Sequence, residues 1–141
     1  MPTSSTPIPA FPMQVVLRFY RAIDDRDYAG LVSLFAPDGV WLRQGTELRG
    51  EDEIMAALNQ RSATLRVVHI ITNLYEEFVD DGEVDVHGYM AVVLNDPKTP
   101  HEGPMPLAGI DSIRPTWARL RSTGEGWRIV RIGSGAPTFA N

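Results

Sequence analysis

Residues 65–94, "LRVVHIITNLYEEFVDDGEVDVHGYMAVVL", decide how this chain folds. Two runs rich in β-branched and aromatic side chains flank Asp80-Asp81-Gly82. An Asp-Gly pair between such runs signals a hairpin, because glycine tolerates the backbone angles of a tight turn. The spacing predicts a long antiparallel hairpin with one anomaly. His69 lies in a run that is otherwise aliphatic. Burying an imidazole without a partner costs free energy, and its ordinary proton affinity suits acid–base chemistry near neutrality.

A turn on Asp81-Gly82 sets His69 opposite Leu94, Ile71 opposite Val92 and Asn73 opposite Met90. That face holds His69, Ile71 and Asn73 among aliphatic residues, with no second ionisable group. Glu76 falls opposite His87 on the other face. A partner for His69 must therefore come from another element.

Upstream, Val16, Phe19, Tyr20 and Ile23 recur at helical spacing and predict a first helix from about Met13 to Arg26. Asp27 can cap a short second helix with Leu31, Leu34 and Phe35 on its apolar side. "APDG" (36–39) reads as a break, and "VWLRQGTELRG" (40–50) as an extended segment with a bend. Gly50 opens a third helix whose Glu51, Asp52 and Glu53 suit the positive end of its dipole. Ile54, Met55 and Leu58 give that helix its apolar side. Downstream of the hairpin, a Pro/Gly-rich connection (95–109) leads to two strands, "SIRPTWARLRS" and "GWRIVRIGS", joined across "TGEG". The expected order is ααβαββββ: helices early and an antiparallel sheet late, an α+β class rather than a βαβ alternation. A bent sheet of this kind makes a cone with a pocket inside.

The chain has 141 residues, 43% of them hydrophobic and 22% charged, as expected of one globular domain. The expected organisation is an arm over 1–12, a cone domain over 13–135 and a tail over 136–141. The arm is rich in Pro, Ser and Thr, reads as flexible, and has neither the basic nor the apolar stretch of a signal peptide. A net charge of −5 argues against nucleic acid or an anionic membrane as partner. No apolar run approaches the ~20 residues of a membrane helix, so the expected location is the cytoplasm. The absence of cysteine removes disulfides, thiolate nucleophiles and zinc–thiolate sites. The three histidines lack metal-ligand spacing. "GSGAP" (133–137) opens no helix, and neither a dinucleotide fingerprint nor a GxSxG elbow occurs. No metal and no cofactor is expected. The acidic run 76–85 reads as a solvated hairpin tip.

The order of elements, "FYRAIDDRDYAGLVSLFAPDGVW", the "RGEDEIMAALNQR" helix, the "H…TN" strand and the terminal "GWRI" strand together resemble the SnoaL-like, nuclear transport factor 2-like superfamily over roughly residues 13–132. The resemblance implies a cystatin-like cone, a curved antiparallel sheet wrapped on N-terminal helices. The fold hosts isomerases, dehydratases, cyclases, hydrolases and binding modules, so it does not fix function. The scytalone dehydratase-like and bile-acid dehydratase-like branches pair an aspartate ending the first helix with a histidine on the first long strand. Asp24 and His69 match those positions. The remaining scytalone-type set is replaced: its tyrosines fall near Ile23 and Arg43, its second histidine near Leu94, its serine near Arg114 and its asparagine near Thr116. The ketosteroid isomerase carboxylate also falls near Arg43.

Asp24 follows Tyr20 by four residues, on the same side of the helix. It can accept a hydrogen bond from one ring nitrogen of His69, fix the tautomer and leave the other nitrogen free. Asp24 and His69 are the candidate catalytic pair. Tyr20, Trp41, Asn73, Arg114 and Thr116 are the candidate substrate-binding set. Plainer readings stand beside these. His69 could bond a backbone carbonyl, Asp24 could end its helix or pair with Arg26, and Tyr20 and Trp41 could pack in the core. Arg114 could lie at the surface; facing inward, it would need an anion or a carboxylate. Ile70, Leu74, Tyr89 and Val93, on the face away from the cavity, are expected at a homodimer interface. Two functions follow. One is a cofactor-independent lyase or isomerase, dehydratase- or cyclase-like, acting on a small apolar carbonyl or a polyketide- or steroid-like compound. The other is a non-catalytic ligand-binding or assembly module, like an aromatic-ring dioxygenase small subunit.

Overall fold

The computed structural model describes residues 11–141; most of the expected arm lies outside the described residues. Helix α1, Pro12–Asp24, begins with a proline whose fixed φ suits the first helical turn. It buries Val15, Val16, Phe19, Tyr20 and Ile23 along one stripe, as the sequence spacing requires. The helix stops two residues before Arg26, which takes a left-handed φ of 57°. Asp27 caps α2, Tyr28–Ser33, by accepting a hydrogen bond from the Gly30 amide at 3.0 Å. Helix α3, Gly50–Asn59, carries Glu51, Asp52 and Glu53 in its first turn.

The strands are β1 (Phe35–Arg43), β2 (Thr46–Arg49), β3 (Arg66–Asp80), β4 (Glu83–Asn95), β5 (Ser112–Thr123), β6 (Gly126–Ser134) and β7 (Phe139–Ala140). The observed order is thus ααββαβββββ. The segment 40–50 is a hairpin of two strands, and "APDG" is an irregularity within β1 rather than a break. Within the tail, Phe139 and Ala140 pair with β5. The sheet runs β2-β1-β6-β5-β4-β3. It is mixed, not wholly antiparallel, because β1 lies parallel to β6. Gly39 permits that neighbour: a Cβ there would come within 2.7 Å of the Ile129 carbonyl oxygen.

Strands β3 and β4 form the expected hairpin, but its register changes along its length. Asp80 pairs with Glu83 at the turn, Tyr75 with His87, and His69 with Val92. Two irregularities, one between Thr72 and Tyr75 and one between Phe78 and Asp80, each add a residue to β3. His69 therefore faces Val92 rather than Leu94, and Ile71 faces Met90. At the first bulge Asn73 adopts φ 56° and its side chain is exposed. Leu74 then turns inward, onto a Gly88 whose Cβ would lie 2.5 Å from Leu74 Cδ2. A bulge bends and twists its strand, and this one removes both Asn73 and Leu74 from the positions expected for them. Glu76 faces Val86, not His87.

The concave side of the sheet closes over α1. Phe19, Leu31, Ile54, Leu58, Leu120, Ile129 and Ile132 form the buried centre. Phe19 meets Tyr20, Phe35 and Trp41 edge-on, with centroids 5.1–5.8 Å apart. The convex side leaves Ile70 50% and Tyr89 46% exposed. No helix among the described residues is long and apolar enough to cross a membrane.

Candidate functional site

The concave face is not filled completely. A cavity of about 230 Å³ remains between α1, the end of β1 and the inner faces of β3, β4 and β5. Asp24, the last residue of α1, meets His69 of β3 at its edge. One carboxylate oxygen accepts from the His69 backbone amide at 2.9 Å, and the other lies 2.6 Å from the ring Nδ1. Both side chains are nearly buried, 11% and 13% exposed. An ionised carboxylate can only accept, so the proton of a neutral imidazole resides on Nδ1 and the lone pair on Nε2. The ring lines the cavity, and Nε2 has no partner among the described residues. His69 is therefore not bonded to a backbone carbonyl, and Asp24 does not pair with Arg26. The Arg26 guanidinium instead binds the carbonyls of Ser62 and Leu65.

The candidate substrate-binding residues divide. Tyr20 lines the cavity with its ring, 5.3 Å from that of His69. Its hydroxyl bonds the Thr116 hydroxyl, which itself donates to the Gly133 carbonyl at 3.1 Å. The Tyr20 proton is thereby directed to Thr116. Burial pushes the phenol up to about 12, only partly offset by the Thr116 bond. Thr116 is 2% exposed and holds Tyr20 rather than facing the cavity. Trp41 both packs on Phe19 and lines the cavity. Arg114 faces inward, correcting the surface reading. One terminal nitrogen donates to Ser112 Oγ at 3.3 Å, while its buried Nε has no hydrogen-bond partner. Asn73 lies outside the cavity, its carboxamide accepting from its neighbour Thr72.

Sequence reasoning missed Arg43 and Arg61, which also line the cavity. Neither has a local signature; only the β1–β2 hairpin and α3 bring them together. The ligand atoms of Glu77, Asp85 and His87 lie within 4.8 Å of one another on the outer face. Arg119 binds both oxygens of Asp85 there, at 2.8 and 3.0 Å, so that carboxylate is committed to a guanidinium rather than to a cation.

Comparison with known proteins matches residues 13–132 to the SnoaL-like domain. The chain belongs to that family. This SnoaL-like domain also resembles solved structures that share little sequence with it. One is a single-residue variant of Rv3472, a protein of unknown function from Mycobacterium tuberculosis. It is 20% identical, with a TM-score of 0.72 over 87% of this chain and 68% of that one. Another is a nuclear transport factor 2-like protein with a cystatin-like fold from Novosphingobium aromaticivorans. It is 18% identical, with a TM-score of 0.67 over 86% and 76%. A third protein, from the same organism, is provisionally named a scytalone dehydratase. It is 16% identical, with a TM-score of 0.70 over 92% and 85%. No curated protein matches the sequence. At these identities the structures establish the fold of the SnoaL-like domain, an α+β cone with a curved, open sheet.

Proposed function

We propose that this SnoaL-like domain is a cofactor-independent lyase or isomerase that moves a proton on a small, mostly apolar carbonyl compound. The observation that carries the reading is a histidine whose Nδ1 is fixed by Asp24 and whose Nε2 faces an open cavity. In this reading Nε2 removes a proton from the carbon next to the carbonyl. The imidazolium, stabilised by Asp24, returns that proton to a departing hydroxyl as water, or to another carbon. Negative charge on the carbonyl oxygen needs a donor. The Tyr20 hydroxyl already donates to Thr116, which leaves the Arg114 guanidinium for that task. Trp41 and the Tyr20 ring supply apolar walls. The solved relative named for scytalone dehydratase is consistent with this chemistry. A cavity of about 150 Å³ admits benzene, so 230 Å³ favours a compound of one or two rings over a steroid.

The alternative of a non-catalytic module would suit a cavity filled by its own side chains and a His69 bonded to backbone. Neither is the arrangement described above. We place the domain in the cytoplasm as a homodimer, joined through the exposed Ile70 and Tyr89 with Val93; light scattering showing only monomer at micromolar concentration refutes the dimer.

Deuterium uptake from heavy water into the α-carbon of a bicyclic ketone such as 2-tetralone tests the chemistry. The parent protein accelerates uptake, and His69→Ala and Asp24→Asn lower the rate by roughly 10²–10⁴-fold, the usual range for positioned acid–base groups. A parent rate equal to that of His69→Ala refutes the reading.

A further inference from the structure

The cavity carries more positive charge than its own walls neutralise. Three guanidiniums line it, from Arg43, Arg61 and Arg114, against the exposed Asp111 carboxylate at the rim and the Asp24 carboxylate at the edge, which is taken up by His69. Arg43 is half-buried over the Trp41 ring, 5.4 Å from its centroid. It forms no ion pair and no hydrogen bond with any described residue. Arg61 stands on the same wall, its Nη1 donating to the Ile23 carbonyl and the Tyr28 hydroxyl at 3.1 and 3.0 Å. Burial, and then the Arg61 charge, hold the Arg43 guanidinium below its usual range. Two neighbouring, partly desolvated cations that form no ion pair oppose folding. An anion between them removes that cost.

We propose that the substrate carries a carboxylate, bound where the cavity opens between Arg43 and Arg61. The inference rests on the cavity being a substrate site and names the class of compound it takes: a one- or two-ring carbonyl acid. Arg43 and Arg61 also border an outer groove of about 570 Å³ between the β1–β2 hairpin and α3, so the site lies at the junction of groove and cavity. Glu47 and Glu53 line that groove. Glu47 is already paired with Arg49 at 2.6 Å, so Glu53 is the carboxylate that tempers the entrance, which suits a carboxylate monoanion over a phosphate dianion. The planar guanidinium fork also matches a carboxylate bidentately. A carboxylate held at the mouth leaves the deeper carbonyl to Arg114 and the adjacent carbon to His69.

Matched ligands of one shape test this. Binding of 2-naphthoate and of 2-naphthamide is measured by calorimetry on the full chain. The acid binds the parent at least about tenfold tighter than the neutral amide, as a charge-assisted contact to a partly desolvated guanidinium requires. Arg43→Gln abolishes that preference and Arg43→Lys keeps part of it. Arg43 is chosen because Arg61 ties α1 to α2 and its loss can unfold the chain; circular dichroism confirms that each Arg43 variant is folded. Asp24→Asn retains the preference, so failure of the proton-transfer reading and failure of the carboxylate site are separate results. Inorganic phosphate at constant ionic strength leaves naphthoate binding unchanged. Equal affinity for acid and amide in the parent, binding of neither, a preference that survives Arg43→Gln, or displacement by phosphate each overturns the proposal.

Discussion

Replacing Asp24 by alanine removes the acceptor of two donors on His69, the backbone amide at 2.9 Å and the ring Nδ1 at 2.6 Å. A stranded, largely buried donor costs about 1–3 kcal/mol. The two together predict a loss of about 2–4 kcal/mol at pH 7, because the small residual exposure of the pair lets water recover part of it. The larger cost of orphaning a buried ion does not apply, since His69 alone can be neutral. A double-mutant cycle isolates the ring contact. His69→Phe deletes the Nδ1 donor and keeps the backbone amide, so Asp24→Ala in that background loses only the amide contact. Single and double variants are unfolded in urea, and the difference between the two Asp24→Ala steps is the coupling. A charge-assisted bond at this depth predicts about 1.5–3 kcal/mol. A coupling within about 0.5 kcal/mol of zero refutes the ring–carboxylate bond, and with it the fixed tautomer on which the proton-transfer reading depends.

Tyr20 ionises only near about 12, above the ordinary value of about 10. Its folded-state value is raised, so the stability it contributes is complete below about pH 10 and is lost as pH rises towards 12. Alkaline spectrophotometric titration shows one late tyrosine that disappears in Tyr20→Phe; four tyrosines ionising together contradict this. The hydrogen bonds from Arg119 hold the Asp85 carboxyl below its usual range. A lowered carboxylate stabilises the fold above its unfolded value and loses that contribution on acidification. Urea midpoints of parent and Arg119→Met therefore differ at neutrality and converge below about pH 4; a constant gap across that range counts against the pairing. Asn73 sits at φ 56°, where a β-branched residue is strained. Asn73→Val should cost about 1–2 kcal/mol in thermal unfolding while Asn73→Gly stays near neutral. A gain in stability for valine, as its strand propensity alone predicts, means that the bulge is absent.

The sequence by itself determined the helices, the long hairpin, the two strands after it and the class, but not the β1–β2 hairpin or β7. The spacing of Val16, Phe19, Tyr20 and Ile23, the Asp27 cap and the Asp81-Gly82 turn are local signals. Each was readable because the physics that makes a helix or a hairpin acts between residues close in the chain. The pairing of Asp24 with His69 was reachable as a hypothesis, because Asp24 follows Tyr20 on the cavity side of the helix and both residues match the positions that the dehydratase-like resemblance implies. Tertiary structure alone decided the rest. The parallel β1–β6 neighbour depends on which strands meet after the chain has turned back, and strand patterns carry face but not partner. The bulge at Asn73 moved that side chain out of the cavity and Leu74 into the core, since one inserted residue reverses every face beyond it. Arg43 and Arg61 lie on a strand and beyond the end of a helix, with no periodicity to mark them. Their juxtaposition is a property of packing, and so is the excess of positive charge in the cavity.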